Sequence, residues 1–494
     1  MSSYQLLPFQ FRHFPDDTML LVNESGDYYF LSNEHFNQLR ETPSDLPSKI
    51  LYDLESRHFV SDKKSLASAI DLTATKYRTR KQFMTDFTAL HMMVVTLRCN
   101  HKCEYCQVSS EDDDAVRFDM KEDTARKIVD CIFLSPSPHI KIEFQGGEPL
   151  LNWDAIVATV IYAEELNQSV KKNLSFVICS NLTALTEEHL VFIKEHNIDL
   201  STSLDGSKCL HDKYRLTRND TSSYDAYIDN LSMARTALGN DKIGALMTAT
   251  GDSLGLFPEI IDEYIERGFD GMFFRSLNPY GDASANKKEL DYPMAEFVSA
   301  YKDGLDYIIQ KNKDGVYFVE FFATLLLKRI LTPFSTGFVD LQSPAGAGIS
   351  GVIYDYNGDV YPADEGRMLA RMGNERFKMG NVITTSYKSI FHGDVLKELV
   401  SKSCVECMPR CTSCAYRAYC GSDPIRNYLE TGDVVGKRPR SPFCERQLAI
   451  FDFLFEKLRR ADTDEMDVFW SWITKRSLEG IKNEEATRAA EQAV

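Results

Sequence analysis

Three cysteines stand within eight residues in the stretch VTLRCNHKCEYC, at Cys99, Cys103 and Cys106. They follow an apolar run, HMMVV, which predicts a buried strand. Thiolates are soft ligands that suit iron–sulfur clusters or zinc. A closed zinc site would need a fourth ligand, which His101 or His91 could supply. With three thiolates alone, one metal position stays open, as is typical of a catalytic site.

The other nine cysteines divide into a second cluster and three single residues. Cys131, Cys179 and Cys209 stand alone in helix-like or strand-like stretches, and we predict that they are buried small hydrophobes. In a reducing compartment, closely spaced cysteines indicate metal sites rather than disulfides. Zinc is an alternative to iron and sulfur for the second cluster too. Its six members are Cys404, Cys407, Cys411, Cys414, Cys420 and Cys444.

Composition excludes several classes of function. The chain has 494 residues, which predicts more than one domain, and its net charge of −17 argues against a general nucleic-acid binder. We find no basic start followed by an apolar core that would indicate a signal peptide, and no run of about 18 apolar residues that would span a membrane. The sequence therefore predicts a cytoplasmic protein that binds neither nucleic acid nor membrane.

Strand and helix patterns alternate from about residue 91. The predicted strands are HMMVVTLR, HIKIEFQ, LSFVICS, IDLSTSL, KIGALMTA and GMFFRSL, with amphipathic runs between them. Six such units predict a parallel sheet, as a partial barrel or a doubly wound sheet. Functional residues should follow the carboxyl ends of the strands. The cysteine triplet follows the first strand, GGEP the second, SN the third and LDG the fourth.

Different patterns flank this region. TMLLVNESGDYYFL predicts two strands, and two helices follow. The basic stretch ATKYRTRKQ is predicted to link this module to the sheet. After about residue 331 short strands and turns appear, with a hairpin whose tip is Asn357-Gly358. The predicted domains are a small α+β module (1–75), a core (76–330), a cysteine-rich domain (331–450) and a helical tail (451–494).

The cysteine spacing and the motif QGGEPL some forty residues later resemble the radical S-adenosylmethionine (SAM) superfamily. The resemblance implies a 4Fe–4S cluster held by Cys99, Cys103 and Cys106, whose open iron binds the amino and carboxylate groups of SAM. One electron would then release a 5′-deoxyadenosyl radical that abstracts a hydrogen atom from the substrate. It also implies SAM contacts at Tyr105, Gly146, Gly147, Glu148, Asn181, Ser203 and Arg215.

These implied contacts have different roles. Tyr105 matches the adenine contact, and the GGEP backbone with Glu148 matches the site of the methionine amine. The glycines fit a backbone that approaches a ligand too closely to carry Cβ atoms. Asn181 and Ser203 match contacts to the ribose or the carboxylate, and Arg215 a carboxylate partner. The alternative is that Asn181 and Ser203 cap turns and that Arg215 is a surface residue.

The second cluster resembles the SPASM extension of peptide-modifying radical SAM enzymes. That resemblance implies one auxiliary 4Fe–4S cluster held by Cys411, Cys414, Cys420 and Cys444. The cysteines of a further, inner cluster are replaced by Ala345, Ala363 and Pro424, so we expect that cluster to be absent. Cys404 and Cys407 are extra: they would bind an additional centre or replace one of the four.

Asp364 directly follows Ala363, the second of the replaced inner-cluster positions. In sulfatase-maturing relatives an aspartate at this place is the proposed proton acceptor, which makes Asp364 the candidate catalytic residue. The alternative is a turn carboxylate in PADEG.

Several longer stretches, among them LLVNESGDYYFLSNEHF and GDVVGKRPRSPFC, look like the His-Xaa-Ser system radical SAM maturases, over roughly residues 4 to 450. The resemblance implies a partial (β/α)6 TIM-like barrel with an N-terminal α+β module and a C-terminal SPASM-like extension. It also implies a ribosomal precursor peptide as substrate, an electron donor such as flavodoxin or ferredoxin, and a second radical SAM maturase as partner. The N-terminal module is similar to elements in which a leader peptide adds a strand to a sheet edge.

The leading hypothesis is therefore a radical SAM enzyme that crosslinks or otherwise functionalises C–H bonds of a precursor peptide. A second hypothesis is a sulfatase-type maturase that makes formylglycine, against which the missing inner cluster speaks. A third, of another class, is a non-catalytic zinc-bound structural or regulatory protein.

Overall fold

The computed structural model describes residues 4–108, 110–111, 114–286 and 290–483. Its strands, in chain order, are β1 Tyr4–Leu6, β2 Phe9–His13, β3 Thr18–Asn23, β4 Tyr28–Ser32, β5 Val60–Asp62, β6 Leu90–Thr96, β7 His139–Gly146, β8 Asn173–Cys179, β9 Asp199–Ser203, β10 Ile243–Thr248, β11 Gly271–Met272, β12 Phe274–Arg275, β13 Val319–Glu320, β14 Gly351–Tyr354, β15 Asp359–Tyr361 and β16 Gly380–Asn381.

Helices connect most of these strands. They are α1 Asn33–Glu41, α2 Ser48–Ser56, α3 Leu66–Arg80, α4 Ala115–Phe118, α5 Glu122–Phe133, α6 Trp153–Val170, α7 Glu187–Glu195, α8 Lys208–Tyr214, α9 Tyr224–Leu238, α10 Phe257–Glu266, α11 Gly281–Ala285, α12 Met294–Lys313, α13 Phe321–Leu331, α14 Asp364–Arg371, α15 Tyr387–Phe391, α16 Asp394–Lys402, α17 Pro424–Thr431, α18 Pro442–Arg460 and α19 Thr463–Thr474. Among the described residues, none of these helices has the length and apolar character needed to cross a membrane.

The chain forms two compact units, each assembled from separated segments. The sheet unit comprises Asp86–Thr324, Ala347–Glu398 and Asp462–Val494. The cysteine-rich unit comprises Met1–Thr85, Leu325–Gly346 and Leu399–Ala461. The domains predicted from the sequence are continuous ranges, and that division stays a prediction.

The sheet unit is built on a nine-stranded sheet in the order β12-β10-β9-β8-β7-β6-β14-β15-β16. Strands β6 to β10 and β12 are parallel, which confirms the predicted α/β class. The strands bury apolar side chains such as Val94, Ile142 and Ile178 in the core. Crossover helices carry the chain between successive strands, so the carboxyl ends of β6 to β10 meet at one edge.

The sixth predicted strand, GMFFRSL, is broken into two. β12 continues the main sheet beside β10, whereas β11 pairs with β13. Gly271 explains the break: a Cβ atom there would lie 2.6 Å from the carbonyl oxygen of Val319, so only glycine lets β11 approach β13 this closely. The prediction of one continuous strand was wrong at this point.

The hairpin predicted around Asn357-Gly358 is confirmed as β14 and β15. Gly358 has φ +86°, which favours glycine at the tip. The sequence did not indicate that β14 also pairs in parallel with β6, from Gly351 opposite Leu90 to Tyr354 opposite Met93. The hairpin therefore extends the main sheet.

The N-terminal part of the cysteine-rich unit has a three-stranded sheet, β2-β3-β4, and a separate pair, β1-β5. The two predicted strands are β3 and β4, and α1 follows them, capped by the Ser32 hydroxyl, which accepts a hydrogen bond from the backbone N–H of His35 at 3.2 Å. Met19, Leu31 and Phe36 belong to its apolar core.

The basic stretch predicted to link the module to the sheet forms the end of α3 and the residues directly after it. Arg80, the last residue of α3, is only 8% exposed. The guanidinium donates to the carbonyl oxygen of Arg329 at 2.9 Å and also bonds the carbonyl of Ser25. Buried hydrogen bonds to backbone carbonyls therefore order a segment whose polarity suggested a solvated connection.

At the other end of the chain, the predicted helical tail begins earlier than expected, because α18 starts at Pro442 and already carries Cys444. α19 follows, and residues 484–494 of the predicted tail lie outside the described residues.

Candidate functional site

The first cysteine triplet lies at the edge of the sheet where the parallel strands end. Cys99, Cys103 and Cys106 line one cavity of about 420 Å³ in the sheet unit. Their loop is fixed by backbone bonds, from the Cys106 N–H to the Cys103 carbonyl at 3.1 Å and from the Asp282 N–H to the Cys106 carbonyl at 2.8 Å. Arg218 Nε also donates to the Cys99 carbonyl at 2.6 Å. The structure thus brings the three predicted metal ligands to one cavity.

Burial dominates the electrostatics of these thiols. It raises the pKa of Cys99 well above its usual value, and it raises the pKa of Cys103 to about 11 against the lowering effect of Arg215. Such thiols lose their protons when a metal binds, because the thiolate is the ligand. Among the described residues no three His, Cys, Asp or Glu side chains converge closely enough to hold a single ion. The thiols surround a space instead, which fits a larger metal–sulfur group.

The two histidines considered as a fourth zinc ligand differ. Both ring nitrogens of His91 are engaged, Nδ1 with the Tyr354 hydroxyl at 3.2 Å and Nε2 with the Thr88 carbonyl at 3.0 Å. His101 lines the cavity, and its Nε2 lies 3.1 Å from the Thr183 hydroxyl. Burial and then Arg215 lower the pKa of His101 to about 3, so its ring is neutral. His91 is therefore a core residue in this structure.

Gly146 and Gly147 also line the cavity, but their close contacts are with the protein. A Cβ atom at Gly147 would lie 2.1 Å from the Arg98 carbonyl oxygen, and one at Gly146 would lie 2.6 Å from that of Thr96. The Gly147 N–H donates to the Thr96 carbonyl at 2.9 Å. The glycines are thus required by the approach of this loop to the backbone that leads into the cysteines, a reason that differs from the expected approach to a ligand.

Glu148 is fully buried and holds the wall of the cavity together. Its carboxylate accepts the Asn181 N–H and the Ser180 hydroxyl, each at 2.8 Å, and the Leu150 N–H at 3.1 Å. Burial raises the pKa of Glu148 to about 7, although these bonds oppose the rise. The side chain is not part of the cavity lining. It joins the ends of β7 and β8, and its predicted contact with the methionine amine stays a prediction.

Tyr105, Asp205 and Arg215 form one buried network. Arg215 Nη1 donates to the Tyr105 hydroxyl at 2.7 Å, and that hydroxyl in turn donates to Asp205. Burial raises the pKa of Asp205, while Arg215 and Tyr105 oppose the rise. Nε of Arg215 is buried without a hydrogen-bond partner among the described residues. Because Arg215 also lines the cavity, it offers a free donor to an anionic group such as a carboxylate.

The remaining predicted residues also reach the cavity lining, which includes Asn181, Ser203 and Asp364. The Asn181 side chain donates to Asn100 Oδ1 at 2.8 Å, which fastens it to the cysteine loop. Asp364 Oδ1 lies 3.5 Å from Nε of the buried Arg367 and accepts no hydrogen bond within the described residues. Asp364 therefore faces the cavity with an acceptor atom available, although its catalytic role stays a prediction.

Sequence reasoning missed several residues of the cavity. Arg275, the last residue of β12, lines the cavity, and a charged residue at the end of a predicted strand was the available signal. Asp205 belongs to the LDG motif noted after the fourth strand, but no role was assigned to it. Cys179, predicted to be a buried hydrophobe, ends β8 and lines the cavity. Burial and Glu143 raise the pKa of its thiol. Cys131 is buried as predicted, whereas Cys209 is exposed, because it lies in the short surface helix α8.

The cysteine-rich unit brings four of its six cysteines together. Burial, with smaller contributions from Cys414, Cys411 and Cys444, raises the pKa of Cys420 to about 12 against the lowering effect of Arg438. Backbone turns shape the loop, from the Cys414 N–H to the Cys411 carbonyl at 3.0 Å and from the Cys420 N–H to the Tyr416 carbonyl at 3.0 Å. The first turn of α18 supplies Cys444. These are the four residues predicted to hold an auxiliary cluster.

The extra pair is electrostatically separate from those four. Cys407 is exposed, and Cys404 Sγ lies 3.4 Å from the Val400 carbonyl oxygen. Burial and Glu406 raise the pKa of Cys404, Lys81 lowers it, and Cys407 makes a smaller raising contribution. Ala345, at a missing inner-cluster position in the same unit, is buried and donates its N–H to the Ser403 hydroxyl at 2.9 Å.

The N-terminal sheet packs against the cysteine loop within this unit. Tyr416 stacks on Phe455 of α18 with a centroid distance of 5.3 Å, and Tyr28 of β4 meets the same ring edge-on at 5.3 Å. Arg12 of β2 forms a bidentate pair with Asp452, with both distances 2.5 Å. Asp452 also accepts the Tyr416 hydroxyl at 2.5 Å. Aromatic packing and one partly exposed ion pair thus tie the module to the cysteines.

Comparison with known proteins identifies a family match and a relative with a similar sequence. Residues 93–269 match the family model of the radical SAM superfamily. The chain is 25% identical over 386 residues to the cysteine-type anaerobic sulfatase-maturating enzyme of Clostridium novyi (strain NT). The aligned region covers 73% of this chain and 93% of that protein.

Two solved structures share the fold. Native anSMEcpe with bound AdoMet has 17% identity and a TM-score of 0.62, over 75% of this chain and 98% of that one. Streptococcus suis SuiB bound to precursor peptide SuiA has 15% identity and a TM-score of 0.51, over 88% of this chain and 98% of that one. At these identities the likeness establishes the fold, and the narrower resemblance to His-Xaa-Ser system maturases stays a prediction.

Proposed function

We propose that this chain, a radical SAM enzyme whose cofactors are SAM and a 4Fe–4S cluster, modifies a ribosomally made precursor peptide. The observation that carries the proposal is the cavity in which three thiols face Arg215 and Asp364. SAM bound at the cluster supplies, after one-electron reduction, a radical that abstracts hydrogen from a substrate carbon. Similarity that extends over nearly the whole length of a protein-modifying maturase supports a peptide as the substrate.

The residues of the chain have distinct parts in this proposal. The three thiols hold the cluster, and Arg215 binds the SAM carboxylate through its free Nε. Asp205 and Tyr105 position Arg215, because a hydrogen-bonded and charged partner fixes a long side chain. Asp364 accepts the proton that leaves the substrate during oxidation.

The second cysteine set is proposed to hold an auxiliary 4Fe–4S cluster through Cys411, Cys414, Cys420 and Cys444. Cys414, Cys411 and Cys444 all raise the pKa of Cys420, and a set of four neighbouring thiols suits a complete cluster without an open position. A flavodoxin or ferredoxin as electron donor, a second radical SAM maturase as partner and a cytoplasmic location belong to the same proposal.

A second candidate function is the oxidation of a cysteine or serine to formylglycine. It is favoured by the similarity to the sulfatase-maturating enzyme and by the position of Asp364 in the cavity lining. The alanines at positions 345 and 363 do not exclude it, because Asp364 and the four-cysteine set are both present.

Replacement of the first cysteine triplet tests the radical SAM chemistry. The variant Cys99→Ala, Cys103→Ala, Cys106→Ala should form no 5′-deoxyadenosine and should retain the iron of the auxiliary set. The matched control is Cys209→Ala, since Cys209 is an exposed cysteine of the same unit. Continued formation of 5′-deoxyadenosine by the triple variant would refute the assignment of these ligands.

Mass spectrometry of a candidate peptide separates the two functions. The peptide encoded beside the gene is incubated anaerobically with enzyme, SAM and a reductant, and a hydrazide probe then detects aldehydes. Loss of two hydrogens without hydrazide labelling indicates a crosslink, and unchanged mass with altered stereochemistry indicates epimerisation. A labelled aldehyde supports formylglycine formation and contradicts the leading proposal.

Capture of a leader peptide is proposed for the edge of the N-terminal sheet. β2 is an edge strand of that sheet, and among the described residues no strand pairs with its outer side. Phe11 on this strand is 53% exposed, although its ring contacts Phe36 at 4.9 Å. Phe11→Ala should weaken the binding of a labelled leader in fluorescence anisotropy. Tyr52→Ala, which removes a 71% exposed ring of the same module, is the control, and equal affinities would exclude this edge.

A further inference from the structure

Arg438 is a buried cation with hydrogen-bonding capacity left over. It is 3% exposed, in the segment between α17 and α18. Its Nη2 donates to the Gly421 carbonyl at 2.7 Å, and its guanidinium carbon lies 5.3 Å from the centroid of the Phe443 ring. Nε and Nη1 have no hydrogen-bond partner within the described part of the chain. A buried guanidinium normally has its N–H groups paired, so these two donors need an explanation.

Two contacts place the guanidinium of Arg438 beside the cysteine set. The Gly421 carbonyl that it binds is next to Cys420 in the chain, and the Phe443 ring that it contacts is next to Cys444. The direction of its pKa agrees with this placement, because burial lowers the pKa of Arg438 but three of the four thiols raise it above its ordinary value. A buried cation requires an anionic partner, and thiolates on a metal would supply one.

Two other arginines near these cysteines differ from Arg438 in this respect. Arg12 influences the pKa of Cys414, but it is already paired with Asp452 through two hydrogen bonds. Arg410 influences Cys444 and is exposed, so water screens its charge. Arg438 is therefore the buried cation whose charge and donors remain available to the group that the four thiols hold.

We propose that Arg438 is a positioning residue of the auxiliary site, whose guanidinium donates hydrogen bonds to the anionic metal–sulfur group and balances its charge. This inference rests on the auxiliary cluster of the proposed function. A cation and N–H donors beside the sulfurs stabilise the more negative, reduced state of a cluster. Removal of the charge should therefore make the cluster harder to reduce and lower its midpoint potential.

The test uses the full chain carrying Cys99→Ala, Cys103→Ala and Cys106→Ala, so that the SAM-binding cluster is absent. In this parent we compare Arg438→Gln, Arg438→Lys and the control Arg440→Gln, which removes an exposed arginine two residues away. Bound iron and sulfide are counted first. The midpoint potential is then measured by anaerobic redox titration followed by electron paramagnetic resonance.

We expect a lower midpoint potential for Arg438→Gln, a potential close to that of the parent for Arg438→Lys, and no shift for Arg440→Gln. An unchanged potential in Arg438→Gln with full iron would overturn the inference. Equal loss of iron in Arg438→Gln and Arg438→Lys would also overturn it, because shape rather than charge would then be required. A parent that holds no iron would remove the auxiliary cluster itself, and this measurement identifies that failure before any variant is compared.

Discussion

Phe455 of α18 is the centre of the contact between the N-terminal sheet and the cysteine loop, and its removal should destabilise the cysteine-rich unit. The side chain is fully buried, and its ring meets Tyr28 at 5.3 Å, Tyr416 at 5.3 Å and Tyr419 at 5.6 Å. Truncation of a buried phenylalanine to alanine costs about 3–5 kcal/mol, and each aromatic pair contributes about 0.5–1.5 kcal/mol of packing energy. We therefore expect Phe455→Ala to lower the free energy of unfolding of this unit by about 4 kcal/mol.

Urea unfolding measures this loss. With a slope of about 2 kcal/mol per molar urea, a loss of about 4 kcal/mol moves the midpoint down by roughly 2 M. All three tryptophans, Trp153, Trp470 and Trp472, lie in the sheet unit. Tryptophan fluorescence therefore reports on the sheet unit, whereas far-ultraviolet circular dichroism reports on both. The early transition of the variant should appear in circular dichroism and be absent from fluorescence.

The matched control is Phe334→Ala, which removes a 57% exposed phenylalanine from the same unit. Its effect should stay within about 0.5 kcal/mol. An unchanged midpoint for Phe455→Ala, or equal shifts for both variants, would refute the reasoning. The same packing bears on removal of residues 1 to about 75. That truncation would uncover Phe455, so it would unfold the cysteine loop as well as remove any leader-binding edge.

Three further outcomes are expected. A reconstituted chain should hold roughly eight irons, and about twelve would mean that Cys404 and Cys407 build a third centre. Asp205→Asn should weaken SAM binding about tenfold, because Arg215 loses its charged partner; unchanged affinity in calorimetry would contradict this. Burial raises the pKa of Glu320 to about 7. Since the folded state then binds the extra proton, Glu320 should contribute a fall in stability of about 3 kcal/mol between about pH 4.5 and about pH 7. Glu320→Gln should reduce the fall by that amount in urea titrations, and parallel curves would disprove the assignment.

Alternating apolar patterns were sufficient to predict the sheet. The first five strands were located within a residue or two, because each combines an apolar core run with a polar turn. The sixth strand could not be located correctly, because its break depends on a contact with Val319, which is 48 residues away from Gly271 along the chain. The helical end of α3 was missed for a similar reason. Its charged surface pattern conceals that Arg80 is buried by hydrogen bonds to Ser25 and Arg329.

The residues of the candidate site were predictable where their signal is local. The cysteine triplet and the two glycines lie in short motifs at strand ends, and all five line the cavity. Networks that join distant segments were not predictable. Tyr105 and Arg215 are separated by 110 positions, and nothing near either residue indicates that Asp205 completes their contact. Cys179 had no neighbouring cysteine to indicate its position at the cavity.

The six C-terminal cysteines show that spacing alone does not identify which cysteines bind a metal group. In the sequence, Cys404 and Cys407 have the same CxxC spacing as Cys411 and Cys414, so ligand softness cannot separate the pairs. In the folded chain the first pair interacts with Glu406, whereas the second interacts with two more thiols and Arg438. A buried cation beside three thiols of this set favours an anionic group at the second pair. Beside the first pair, Glu406 raises the pKa of Cys404, whereas Lys81, which is paired with Glu406, lowers it, so the two charges oppose each other. Charge, rather than cysteine spacing, therefore distinguishes the set that we propose to hold a cluster.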